Sequence, residues 1–269
     1  AVERNELALH YQPQVDTRNG TVVGAEALVR WQHPEKGMIP PFRFIPLMEE
    51  MGFIGALGEW VLREACRQMK AFEARGVKLP KVAVNVSALQ FNPAFIRSVK
   101  GVLQETGLAP SKLELELTEG VVMGDAHGTI RALGELKDMG VSLSIDDFGT
   151  GYSSLSYLSR FPLDELKIDR SFVIGSDKSA NDASLVIAII AMARSMNLRL
   201  VAEGVETHEQ YHFLTGNGAH VIQGYLFSKP VPAAELEPLL APWHFMRQIQ
   251  AITARAAEAK PRLVEVGKL

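Results

Sequence analysis

Six polar residues recur at the ends of apolar runs along this 269-residue chain: Glu26, Asn85, Glu116, Asp146, Asp147 and Glu203. Taken singly, each passes for a solvated loop residue or the cap of a following helix. Two resist that reading, because Glu26 lies among Val22, Val23, Ala25, Ala27, Leu28 and Val29, and Glu116 alternates with Leu115 and Leu117. Carboxylates buried together cost many kcal/mol unless they are protonated, paired with cations or bound to metal. With no Cys or His set nearby, an all-oxygen cluster suits Mg²⁺ or Mn²⁺ better than structural zinc. The adjacent pair Asp146-Asp147 can serve two ions, and two ions would activate water and neutralise a phosphodiester. Lys167, between Leu166 and Ile168, would alone be read as a snorkelling surface lysine, but the acid cluster directs it into the same site.

Such residues act together only if the chain brings several strand ends to one place. Short β-like runs alternate with helical patterns from end to end, the signature of βα units about a parallel sheet. The pattern predicts strands at 7–14, 22–30, 82–87, 113–118, 142–146, 165–168, 199–202 and 220–226. Asn92-Pro93 predicts a capped helix start, and Thr207 with Gln210 a capping box. Eight units favour an α/β fold of the (β/α)₈ TIM-like barrel type, whose strand ends share one mouth. Gly20 and Gly24 lack the spacing and context of a dinucleotide-binding turn. Residues 1–245 read as the barrel, and 246–269 as a C-terminal helix and tail.

Composition narrows the partners. A net charge of −3 lacks the basic excess needed along a phosphate polymer, so duplex nucleic acid is excluded and any phosphate ligand should be small. The single cysteine, Cys66, cannot form an internal disulfide; it reads as a small buried hydrophobe in a helix at 60–72, compatible with a reducing compartment. No signal-peptide pattern opens the chain, and the longest apolar stretch, 185–193, is well short of the roughly 20 residues that span a bilayer. That stretch reads as a buried helix, and the domain as cytoplasmic. The chain lacks an initiator Met, which leaves room for upstream signalling domains or a membrane anchor in a longer protein.

With these residues in hand, the sequence resembles the EAL family of cyclic di-GMP phosphodiesterases from Tyr11-Gln12-Pro13 to Lys229-Pro230. The signature Glu26-Ala27-Leu28 is followed in order by Val84-Asn85-Val86-Ser87, Leu115-Glu116-Leu117-Thr118-Glu119, Asp146-Asp147-Phe148-Gly149-Thr150-Gly151-Tyr152, Leu166-Lys167-Ile168-Asp169, Ala202-Glu203-Gly204-Val205-Glu206 and Gln223-Gly224-Tyr225. The resemblance implies two-metal hydrolysis of cyclic di-GMP to linear pGpG with Mg²⁺ or Mn²⁺, lowering a messenger of bacterial signalling and biofilm control. It implies that Glu26, Asn85, Glu116 and Asp146 hold one ion and that Asp146 and Asp147 serve the second. Glu203 and Lys167 would flank the attacking water, Glu203 favoured over Lys167 as the principal base and Lys167 stabilising charge or positioning water, with the split between them left open by the resemblance. Arg30, Gln223 and Glu206 would contact substrate, or in the case of Gln223 position water or a metal ligand. The loop 148–154, with Phe148, Gly149, Thr150, Gly151 and Tyr152, would link the metal site to a homodimer interface, steadied by Glu119. An antiparallel first strand is also implied. Departures from the family pattern are mild, at Gly120, Met48 and Met51.

Two other readings are weighed. His208-Glu209-Gln210-Tyr211-His212 matches the H-E-x-x-H zinc peptidase pattern, but its helix is short, no third ligand presents itself, and a solvated helix face accounts for it. A silent EAL domain that only binds cyclic di-GMP, or serves as an interaction module, would be expected to have lost ligands or the lysine; all are present here.

Overall fold

The computed structural model describes residues 4–122, 126–149, 160–176 and 178–259. Strands β1 (Leu7–Asp16) and β2 (Thr21–His33) form an antiparallel hairpin, with Gln12 opposite Glu26. From β2 the sheet continues through β4 (Val82–Val86), β5 (Leu113–Thr118), β6 (Ser142–Phe148), β7 (Glu165–Ile168), β8 (Arg199–Ala202) and β9 (Val221–Ile222), each parallel to the last. β9 then pairs antiparallel with β1, which closes an eight-stranded barrel. The first strand therefore runs against its neighbours, as the resemblance implies. Two short strands lie outside the ring: β3 (Gly37–Ile39) extends β2, and β10 (Val231–Pro232) pairs with β1. The strand expected at 220–226 stops at Ile222, because Gly224 must pass against the Val205 carbonyl; a side chain there would lie 2.1 Å from that oxygen.

Helices α1 (Pro41–Glu50), α2 (Ile54–Ala74), α3 (Pro93–Thr106), α4 (Glu119–Val122), α5 (Ala126–Asp138), α6 (Arg170–Gly175), α7 (Ala180–Ser195) and α8 (His208–Gly216) connect the strands, and α9 (Ala233–Leu239) and α10 (His244–Ala259) follow. The sequence signals hold where a side chain supplies the cap. Asn92 accepts from the Ala94 and Phe95 amides at the start of α3, and Thr207 and Gln210 form the capping box of α8. Cys66 is fully buried in α2, and burial pushes its thiol up to about 12. The C-terminal helix begins two residues earlier than expected, at His244, and buries Phe245, Ile249 and Ile252 in the same core as the barrel helices. α7 departs from the fully buried helix expected for its apolar stretch. Val186, Ile189, Ile190 and Ala193 are buried, whereas Leu185 and Ile187 are 40% and 44% exposed, since a helix on the outside of a barrel covers it with one face only. Among the described residues, no helix is long and apolar enough to cross a membrane.

In β5, Leu113, Leu115 and Leu117 face the helices while Glu114 and Glu116 point inward, and all five are fully buried. The inward acids form two ionic layers. Toward the strand starts, Lys81 Nζ lies 2.5 Å from Glu114 Oε2 and 2.7 Å from Glu165 Oε2, with Arg199 reaching both acids from outside. Burial, then the charge on Glu165, pushes Glu114 up to about 7 despite Lys81. The folded protein therefore keeps a proton on Glu114 at pH values where the unfolded chain has released it. That stabilisation is complete below the unfolded value of about 4.5 and is lost as pH rises through about 7. The melting-temperature advantage of wild type over Glu114→Gln is expected to shrink between about pH 5 and about pH 8. A difference that stays flat with pH would refute this origin.

Candidate active site

Above that layer, the ends of five strands converge on one lysine. Lys167 comes from β7, Glu116 from β5, Asp146 from β6, Glu26 from β2, and Glu203 from the residue after β8. Lys167 Nζ lies 2.5 Å from Glu203 Oε1, 2.8 Å from Glu116 Oε1, 3.4 Å from Asp146 Oδ1 and 3.6 Å from Glu26 Oε2. The ammonium is fully buried, as is Glu116. These distances make ion pairs, so one buried ammonium serves four carboxylates.

A chain of amides holds Glu26 from the other side. Asn85 Nδ2 donates to Glu26 Oε1 at 2.6 Å, and Gln223 Nε2 donates to Glu26 Oε2 at 2.5 Å and to Gln12 Oε1 at 3.3 Å. Gln14 Nε2 donates to Gln223 Oε1 at 3.2 Å, and Gln12 Nε2 to the Ser228 carbonyl at 3.0 Å. Gln12 and Gln14 were not singled out from sequence, although two glutamines alternating with buried Tyr11 and Val15 are the mark of an inward polar row. Gln223, expected near water or a metal ligand, orients the signature glutamate.

Asp146 and Asp147 sit in an irregularity of the β6–β7 register between Ile145 and Phe148. Asp147 takes φ 53°, a left-handed conformation uncommon for a residue with a side chain, and its amide donates to Asp146 Oδ1 at 2.9 Å. The bulge turns the two neighbouring acids in different directions: Asp146 is buried and Asp147 exposed.

The charges are unbalanced. Burial opposes the charge on Glu26, but Lys167 and the amides of Gln223 and Asn85 hold its carboxyl below the usual range. Burial, then Glu26, drives Glu116 well above it despite Lys167, and burial does the same to Glu203. Partial loss of water around its carboxyl at the mouth, then the neighbouring Asp146, pushes Asp147 up to about 6. An oxygen-only donor set short of positive charge, with Glu116 Oε2 buried and without a hydrogen-bond partner, fits a hard divalent cation in chemistry and charge. In the present arrangement the carboxylates close on Lys167, and no group of three or more His, Cys, Asp and Glu side chains among the described residues is set to hold an ion.

The remaining expected residues fall differently. Arg30 is half-buried near Tyr225 and Glu26, and its Nη1 donates to the Val29 carbonyl. Glu206, expected at the substrate, pairs with Arg170 at 2.8 Å on the rim. Phe148, expected in the interface loop, is instead the last residue of β6 and is buried in the chain's own core. Gly149 has φ 98°, and a side chain there would strike the Phe172 ring at 2.9 Å. Glu119 begins α4, whereas Thr150, Gly151 and Tyr152 lie outside the described residues. His208 and His212 lie on the outer helix α8, with Tyr211 against His212, remote in role from the carboxylate cluster.

The EAL domain family model matches residues 1–230. The chain is 51% identical over 237 residues to the bifunctional diguanylate cyclase/cyclic di-GMP phosphodiesterase MucR of Pseudomonas aeruginosa, covering 88% of this chain and 35% of that protein. It is 48% identical over 246 residues to the cyclic di-GMP phosphodiesterase NbdA of the same organism, covering 91% of this chain and 31% of that one. The chain thus spans about a third of the length of these relatives. Among solved structures, the MucR phosphodiesterase in complex with c-di-GMP superposes with a TM-score of 0.85 at 50% identity, covering 88% of this chain and 96% of that one.

Proposed function

Because the chain belongs to the EAL domain family, we propose that it hydrolyses cyclic di-GMP to linear pGpG with two Mg²⁺ or Mn²⁺ ions. The observation that carries this reading is the convergence of Glu26, Glu116, Asp146 and Glu203 on Lys167 at the strand ends. Glu26, Asn85, Glu116, Asp146 and Asp147 would hold the metal, which when bound supplies Lewis-acid stabilisation of the phosphodiester and lowers the pKa of water. Water adds to phosphorus, the bond from phosphorus to a ribose O3′ breaks, and the products are a 5′-phosphate and a 3′-hydroxyl. Glu203 takes the proton of the attacking water, its Oε1 held 2.5 Å from Lys167 Nζ. Lys167 keeps Glu203 oriented and offsets negative charge as it builds on the phosphoryl oxygens. Arg30, half-buried beside the signature glutamate, would hold a substrate phosphate.

A homodimer belongs to the same proposal. Its support is the outward face of α7, where Leu185 and Ile187 present apolar surface, rather than Phe148, which is used inside the chain. The silent alternative, a receptor that binds without turnover, predicts binding with no product.

The test is incubation with cyclic di-GMP and Mg²⁺, chromatography for pGpG, and light scattering on the same samples. EDTA should abolish turnover, Mg²⁺ or Mn²⁺ should restore it, and Ca²⁺, with its longer and looser coordination, should support it poorly. Undiminished hydrolysis in EDTA would sink the metal mechanism. Binding without product would favour the receptor.

A further inference from the structure

β8 ends at Ala202, and the residue with the base's role, Glu203, stands on the loop that follows. Its amide donates to the Ile168 carbonyl at 3.1 Å, and Val205 N–H donates to the Gln223 carbonyl at 3.2 Å. Between them Gly204 has φ 63°, and a β-carbon there would lie 2.2 Å from Arg170 Cγ and 2.6 Å from Arg170 Cβ. The aliphatic stem of Arg170 therefore lies flat on the Gly204 backbone. Beyond the glycine, Arg170 Nη2 donates to Glu206 Oε1 at 2.8 Å. Arg170 is itself fixed as the first residue of α6, whose N-cap, Asp169, accepts from the Ser171 amide at 3.0 Å. One side chain thus spans from the β7–α6 junction, three residues past Lys167, to both sides of the turn that carries Glu203.

We propose that Arg170 is a positioning residue for Glu203, acting through Gly204 and Glu206 rather than on the substrate. What Glu203 does rests on the phosphodiesterase reading; where it is held does not. The ion pair is half exposed, with side-chain accessibilities of 52% and 37%, and pairs of that kind add little to folding, so stability is a poor reason for it. Orientation is a better one. Glu203 must keep one carboxylate oxygen at Lys167 and present the carboxylate to water, and a shift of about 1 Å in a reacting group can cost on the order of a hundredfold in rate.

The test compares wild type, Arg170→Ala and Arg170→Lys. Arg170→Ala is expected to lower kcat about tenfold with KM changed less than about twofold and the melting temperature within about two degrees. Arg170→Lys, which keeps the stem and a cationic donor, recovers most of the loss. Amide hydrogen exchange at Glu203 and Val205 quickens in Arg170→Ala, and this readout stands even if the wild-type chain proves not to hydrolyse cyclic di-GMP. Full kcat in Arg170→Ala, unchanged exchange, or a rise in KM alone overturns the proposal. So does a melting temperature many degrees lower, or a loss that lysine does not recover.

Discussion

Glu26→Ala is expected to lower kcat for cyclic di-GMP about a thousandfold, the loss that follows when several kcal/mol of charge stabilisation disappear from a transition state. The same change should leave the melting temperature within about two degrees of wild type, because two effects oppose each other. Removing the carboxylate relieves repulsion with Glu116, whose proton affinity Glu26 raises, and that relief is stabilising. Against it, Gln223 loses the acceptor at 2.5 Å and Asn85 the one at 2.6 Å, and the Gln223 amide is buried. Asn85 is exposed at the mouth and can turn to water. Steady-state kinetics with thermal melts on the same preparations check both halves. Turnover near wild type would remove Glu26 from the machinery, whereas a collapse in stability would make it a structural residue.

Lys167→Met, by contrast, should lower stability. Methionine fills a similar length of the barrel but leaves Glu26, Glu116, Asp146 and Glu203 without their shared ammonium. Breaking a buried ion pair by removing one partner typically costs about 3–5 kcal/mol. In EDTA the variant is therefore expected to melt about 10 °C below wild type. Mg²⁺ should return part of the difference, since a divalent cation bound by the same oxygens replaces the lost charge. Catalysis should stay very low with or without metal, because neither charge offset nor Glu203 orientation is restored. Differential scanning calorimetry over a range of Mg²⁺ decides it: a variant as stable as wild type in EDTA would mean that the acids take up protons at little cost and that Lys167 is not their main counterion.

The alternation in Leu113-Glu114-Leu115-Glu116-Leu117 was enough to place two acids on the inner face of a buried strand, because side-chain direction in a strand has a period of two. Acids at the ends of successive strands, with no Cys or His set beside them, likewise pointed to one carboxylate cluster, and helix starts were legible wherever Asn92 or Thr207 supplied the cap. Local pattern failed where the deciding contact is far away in sequence. The apolar run in α7 said that a helix would be buried, not that only one face would be, since that depends on the barrel curving away beneath it. Phe148 looked like a loop aromatic because the register irregularity that keeps β6 running to it is made with another strand.

The residue types of the site, their order along the chain and the βα rhythm that brings them to one end can all be read from the amino-acid order alone. Each of these follows from local periodicity and from the cost of burying charge. How the acids are held depends on contacts between distant parts of the chain. Gln223 reaches Glu26 across 197 residues and Gln12 across 211 because the barrel closes between β1 and β9, and Arg170 lies on a turn 34 residues on because β7 pairs with β8. Strand register is a property of paired chains, so no single run of residues encodes which amide will meet which carboxylate.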